Sequence, residues 1–214
     1  MADYKDVKYN VDYGDATGGA GGLTLISSSH IANGATEHAG VASSMDFTSG
    51  LDSTYDVYKF VLNGMIPDGT AQLHFQVDVG TATDYNQTVT TMQRAVSHKG
   101  DGSAFGDDGH GGPQDNDAAN AALGIAQKGD GDDDNQDRGG VSGYMYLFNP
   151  ASTVFEKHFI SKMTGSGMAG SNPYLEMHEN AGYFQQTAAI TRIRFVYPSV
   201  NMRAGRISMY GVAK

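Results

Sequence analysis

The stretch that most constrains this chain runs from Gly143 to Ile160 and joins two apolar segments through turn residues. From Tyr144 to Phe148 both parities are apolar: Tyr144, Tyr146 and Phe148 on one, Met145 and Leu147 on the other. Successive side chains of a strand point to opposite faces, so this pattern predicts a strand covered on both faces, inside a sandwich. Asn149-Pro150-Ala151-Ser152 is turn chemistry, because Pro150 presets φ at the second turn position and Asn149 can bond its own backbone just ahead. Val154 to Ile160 is expected to return as a second, less buried strand, carrying Glu156, Lys157 and His158 among Val154, Phe155, Phe159 and Ile160.

The other strands are expected as layers around this hairpin. Leu23–Ser27 and Ser44–Phe47 read as short strands, with His30 to Gly40 a loop between them. Tyr55 to Leu62 puts Tyr58, Phe60 and Leu62 on one face, and Asn63 to Gly69 reads as a turn. Ala71 to Val79 alternates most cleanly, with Leu73, Phe75 and Val77 inward and His74 on the solvent face. Thr88–Ser97 is a further strand. Residues 99–117 read as a polar loop, Ala118–Ala126 as a short helix by propensity, and Lys128–Gly140 as an acidic loop. Thr164 to Pro173 reads as a loop of Gly, Ser and Met, and a new strand is expected to begin at Gly182. Ile190–Tyr197 directs Ile193, Phe195 and Tyr197 inward, and Gly205–Val212 closes the chain. Nine or ten short strands separated by turns favour an all-β fold, a two-sheet β-sandwich with jelly-roll-like topology. The expected buried set is Phe60, Leu73, Phe75, Val77, Tyr146, Phe148, Phe159, Ile193, Phe195 and Ile207.

With 214 residues, 39% of them hydrophobic, the chain can bury one sizeable core, and residues 23–214 are expected to form a single domain. No cysteine is present, so disulfides and thiolate metal sites are excluded. A formal net charge of −10 would be repelled by phosphate backbones and by anionic membranes, so no nucleic-acid or membrane partner is expected. Met1-Ala2-Asp3-Tyr4-Lys5-Asp6 lacks the apolar stretch of a secretory signal, and synthesis in a cytoplasm is expected.

Chemistry-bearing patterns fall short. A calcium loop beginning at Asp130 would need Gly and Glu where Asn135 and Val141 stand. Asp132, Asp133, Asp134 and Asp137, like Asp101, Asp107, Asp108, Asp115 and Asp117, therefore read as solvated loop acids. His178-Glu179 begins a zinc-protease pattern without its second His, and Gly165-Ser166-Gly167 lacks the flanks of a nucleophile elbow. Neither a catalytic residue nor a metal or other cofactor is expected. Sugar binding is the rival, since jelly rolls host lectins and 12 Tyr and 9 Phe offer stacking surfaces, although most sit at inward strand positions.

Three segments carry a resemblance. They are Met45 to Tyr58, Gly143 to Ser161 with its Leu147-Phe148-Asn149-Pro150 centre, and Ala204 to Gly211. In this order they resemble a family of structural proteins of tailed bacteriophages, especially marine ones. The resemblance implies a virion protein without catalysis. The expected role is a capsid decoration protein bound to the major capsid protein or other virion proteins. The alternative is a glycan- or receptor-binding module of a tail or head fibre. A homo-oligomer, by analogy a trimer, is expected.

Residues 1–22 match nothing in that family. Tyr4, Val7, Tyr9, Val11 and Tyr13 mostly alternate with polar residues, and Gly18-Gly19-Ala20-Gly21-Gly22 separates them from the first strand. This pattern predicts a glycine-rich N-terminal arm that docks on a neighbouring subunit or on the capsid shell through those five residues.

Overall fold

The computed structural model describes residues 22–31, 42–69, 71–99, 105–108, 121–126, 140–169 and 172–213. The strands, in chain order, are β1 (Leu23–Ile31), β2 (Ser44–Phe47), β3 (Val57–Pro67), β4 (Ala71–Val79), β5 (Val89–Lys99), β6 (Phe105–Asp108), β7 (Ala121–Ala126), β8 (Gly140–Phe148), β9 (Lys157–Ala169), β10 (Asn172–Phe184), β11 (Ile190–Val196) and β12 (Met202–Val212). No helix occurs among the described residues. Eight strands form one sheet in the order β1-β12-β3-β8-β9-β10-β5-β6, and four form a second in the order β2-β11-β4-β7. All pairings are antiparallel.

The topology follows from this order. With β5, β6, β9 and β10 set aside, two four-stranded sheets remain, β1-β12-β3-β8 and β2-β11-β4-β7. The chain crosses from one to the other at every step except β4 to β7. That is the double Greek key of a jelly roll. The four remaining strands are two insertions, one between β4 and β7 and one between β8 and β11, and both extend the larger sheet on the β8 side.

Inward parity builds the core. Phe47, Phe75 and Phe195 of the smaller sheet meet Phe60, Phe159 and Phe184 of the larger one, with ring centroids 4.7–5.7 Å apart. Such pairs add to stability beyond the area they bury. Phe60, Leu73, Phe75, Val77, Phe159, Ile193, Phe195 and Ile207 are buried in this layer. Tyr197 is buried too, and its hydroxyl donates to the Met65 carbonyl at 2.7 Å.

Several expectations are corrected. Tyr146 and Phe148 are only half-buried, because β8 turns Met145 and Leu147 to the core and presents the other parity outward. The return strand begins at Lys157, not Val154. The Ser152 hydroxyl accepts from the amides of Val154 and Phe155 at 3.1 and 3.0 Å, and this local bonding holds residues 152–155 in a turn that leaves both side chains exposed. His30 lies in β1 and Asn63 to Pro67 in β3. Thr164 to Ala169 and Asn172 to Pro173 are strand, because β9 and β10 pair from Lys157–Phe184 to Ala169–Asn172. Gly182 therefore stands near the end of a strand and does not begin one. Ala121–Ala126 is strand, paired with β4, and Phe105–Asp108 pairs with β5. In both places ladder hydrogen bonds from a neighbour override local propensity.

Candidate docking face on the larger sheet

Residues directly opposite one another on neighbouring strands share a face. Leu25 stands opposite Tyr210, Tyr210 opposite Lys59, Lys59 opposite Tyr146, Tyr146 opposite Ile160, Ile160 opposite Ala181, and Ala181 opposite Met92. This row crosses seven strands on the outer side, since Phe60, Met145, Leu147 and Phe159 take the inner parity. A second row runs beside it through Leu23, Val212, Val57 and Phe148, and resumes at His158, Tyr183 and Thr90. Met92 is 66% exposed, Leu25 57% and Ile160 47%. Apolar side chains so exposed and so contiguous mark an interaction surface, whereas single ones would not.

The face has relief. Between β5, β9 and β10 lies an open groove of about 340 Å³. It is lined by Met92 of β5, by His158 and Ile160 of β9, and by Ala181, Gly182 and Tyr183 of β10, with Ala181 between Met92 and Ile160. The His158 and Tyr183 rings support each other, 5.6 Å apart and tilted by 31°. The groove exists because β10 places its smallest residues between large neighbours. Its lining is chiefly apolar, which suits an apolar side chain of a partner.

Beside the groove, Tyr144, Tyr146 and Phe148 form an aromatic strip along β8. The Lys59 ammonium lies 5.3 Å from the Tyr144 ring centre and 5.4 Å from that of Tyr146, a cation–π contact that holds the strip in place. A third row carries Val61, Tyr144, Lys162, Glu179 and Arg94, with Lys162 and Glu179 paired at 3.0 Å. On these three rows three cations meet one carboxylate, in a chain whose net charge is −10. The local balance on these rows is therefore positive, unlike that of the chain as a whole.

The outer side of the smaller sheet differs. The Arg194 guanidinium donates to both carboxylate oxygens of Asp46, at 2.9 and 3.3 Å, and lies 3.8 Å from the Tyr85 ring centre. The Arg192 guanidinium donates to the Ala82 carbonyl, and the Tyr85 amide donates to buried Asp78 at 2.8 Å. Burial pushes the Asp78 carboxyl above its usual range. The 80–88 loop thus covers the part of this face around Asp78, Arg192 and Arg194, although the second Asp78 oxygen is buried without a partner, and it reads as structural.

A polar chain links the sheets at one end. His74 bonds Gln72 at 2.9 Å, Gln72 reaches Gln93 at 3.5 Å, Gln93 bonds His178 at 2.9 Å, and His178 bonds Glu176 at 3.1 Å. His74, expected on the solvent face, is half-buried, and burial drives its imidazole down to about 4. The chain borders none of the groove, and its side chains hold one another.

The arm residues Tyr4, Val7, Tyr9, Val11 and Tyr13 lie outside the described residues, as do the acidic residues 128–139. Among the described residues no group of three or more His, Asp or Glu gathers as a metal would require, and no helix is long and apolar enough to cross a membrane. The outer rows are the feature that sequence reasoning missed. Their signal was present in Tyr144, Tyr146 and Phe148, which were read as core. No protein-family model matches the chain, and no significant match exists among curated proteins or solved structures.

Proposed function

We propose that this protein is a non-enzymatic structural component of a bacteriophage virion, a decoration protein that docks on the capsid exterior through the outer face of its larger sheet. The observation that carries the reading is the seven-strand outer row, a mostly apolar band with Leu25, Ile160 and Met92 exposed and the rest half-buried, on a sandwich whose opposite face is partly covered by its own loop. A decoration protein needs such a broad adhesive surface and no active site. The virion assignment itself rests on the resemblance of Met45–Tyr58, Gly143–Ser161 and Ala204–Gly211 to phage structural proteins. The docking partner is the capsid shell, with its apolar side chains filling the groove lined by Ala181 and Gly182.

The test is copy number. Densitometry of purified particles should find hundreds of copies per virion. A handful per particle would place the protein on a fibre or tail and overturn the decoration role.

The strip Tyr144-Tyr146-Phe148 favours a second reading, a glycan-binding module of a fibre, because exposed aromatic rings stack on sugar faces. The apolar lining of the groove and the use of Tyr146 by Lys59 weigh against it. Calorimetric titration with a panel of oligosaccharides separates the two: saturable heat lost in Tyr144→Ala would establish sugar binding.

A further inference from the structure

β1 is an outermost strand of the larger sheet among the described residues. One of its edges pairs with β12, and the other has no strand beside it among the described residues. Proteins defend such edges with charges, prolines or brevity. Two of the other three outer strands follow that rule: β2 and β6 have four residues each and carry Asp46, or Asp107 and Asp108. The third, β7, carries no charge but has only six residues, against nine in β1. β1 has nine residues, Leu-Thr-Leu-Ile-Ser-Ser-Ser-His-Ile, with no Lys, Asp, Glu or Pro. Its only irregularity is a register shift between Leu25 and Ser27. Leu23 and Leu25 are about half exposed and begin the two apolar rows of the outer face. An undefended edge with an apolar outer side is an acceptor for an added strand.

We infer that the acceptor edge of β1 takes the arm strand Val7–Tyr13 of a neighbouring copy of the same chain. Three observations select this occupant. Val7, Tyr9, Val11 and Tyr13 alternate with Lys8, Asn10 and Asp12, so a strand over these residues has one apolar and one polar side. Laid along β1, its apolar side continues the rows that begin at Leu23 and Leu25, and its polar side meets water. The reach is sufficient, because the chain is pinned at Gly22, whose carbonyl accepts from the Ala213 amide at 3.1 Å. The residues from Tyr13 to Gly22 then span up to roughly 30 Å when extended. Finally, pairing with the arm's own β1 would need a hairpin loop of nine residues, 14–22, where hairpins ordinarily use about 2–5.

Each copy gives an arm and receives one, through two different surfaces. Such a head-to-tail contact generates a closed ring when the rotation closes. The inference does not depend on the capsid reading, since donor and acceptor both belong to this chain.

The test uses two variants and their mixture. One lacks residues 2–17 and keeps its edge. The other keeps its arm and carries Leu23→Asp with Leu25→Asp, which sets charges where the arm's apolar side would lie. Both changes fall on exposed or peripheral positions, and melting curves check that each variant folds. Light scattering at micromolar concentration should find the full chain as an oligomer and each variant alone as a monomer. An equimolar mixture should give a one-to-one heterodimer, because one member supplies the edge and the other the arm. Four results overturn the inference. The full chain is monomeric, so the arm docks on its own subunit or elsewhere. The armless variant associates as the full chain does, so two β1 edges pair directly. The edge variant associates as the full chain does, so the arm needs no β1. The mixture stays monomeric.

Discussion

Leu147 and Phe148 are neighbours with opposite fates. Leu147 is fully buried between the sheets, while Phe148 stacks on Tyr146 at the surface. Replacing Phe159, which packs 4.7 Å from Phe75, with Ala should cost about 3–5 kcal/mol in a denaturant melt. The same change at Phe148 should cost less, about 1–2 kcal/mol, because its half-buried ring keeps part of its surface in water and leaves no enclosed cavity. Equal losses would return Phe148 to the core. Residue identity alone leaves this parity open, since both faces of Tyr144–Phe148 are apolar; the jelly-roll connection through β3 decides it. His74 makes a second prediction at this scale. Its folded imidazole takes up a proton only near pH 4, against about 6.5 in the unfolded chain. Between these values the unfolded chain holds more protons, so stability falls as pH drops from 6.5 to 4 and is unaffected by His74 above that window. The full effect is about 3 kcal/mol. Melting curves of His74→Gln across this range should show a shallower acid slope than the native protein. Equal slopes would show that His74 is not the sensor.

Among the elements, β9 and β10 were the least legible. Their far halves contain Gly-Ser-Gly-Met-Ala and Asn-Pro, a composition that reads as loop, yet they form a continuous ladder from Lys157–Phe184 to Ala169–Asn172. The near half of β9 was legible because Phe159 and Ile160 are apolar, whereas of β10 only the last residues, from Gly182, were read as strand. Ala121–Ala126 read as helix for the same kind of reason: alanine favours helices in isolation, and only its ladder with β4 reveals the strand. The alternation in β3, β4 and β11 was read correctly because each strand has one buried face, so parity alone locates the core. One glycine sits where the inserted strands β5, β9 and β10 meet. A Cβ at Gly182 would collide with the Thr90 carbonyl and the Phe159 ring, so β10 must stay bare there for that ring to seat. Gly182→Val should therefore lose several kcal/mol, on the order of a large core deletion, or leave the protein insoluble. A melt within 1 kcal/mol of native, by the usual tolerance of surface changes, would contradict this packing. Gly143 is constrained in another way. It adopts φ +156°, and a side chain there would press on Lys162 and Met163 of β9.

For the molecule as a whole, a jelly roll widened on one side gives two unlike outer faces. The smaller sheet is partly covered by the 80–88 loop, with Arg194 held between Asp46 and Tyr85. The larger sheet, extended by β9, β10, β5 and β6, leaves Leu25, Tyr146, Ile160 and Met92 outward in one register. The sandwich was legible from period-2 alternation and turn residues. The face was not, because it depends on which strands become neighbours, and pairings between distant segments such as β5 with β10 leave no local trace. The central claim is that this face binds the capsid shell. Co-sedimentation with particles lacking the protein tests it, comparing the native chain with Met92→Glu combined with Ile160→Glu. Both side chains are exposed, so the variant should keep the native melting temperature. Charging two apolar anchors at the centre of an interface should weaken binding by roughly a hundredfold or more, at about 2 kcal/mol for each anchor. A folded variant that sediments with particles as strongly as the native chain would contradict the account.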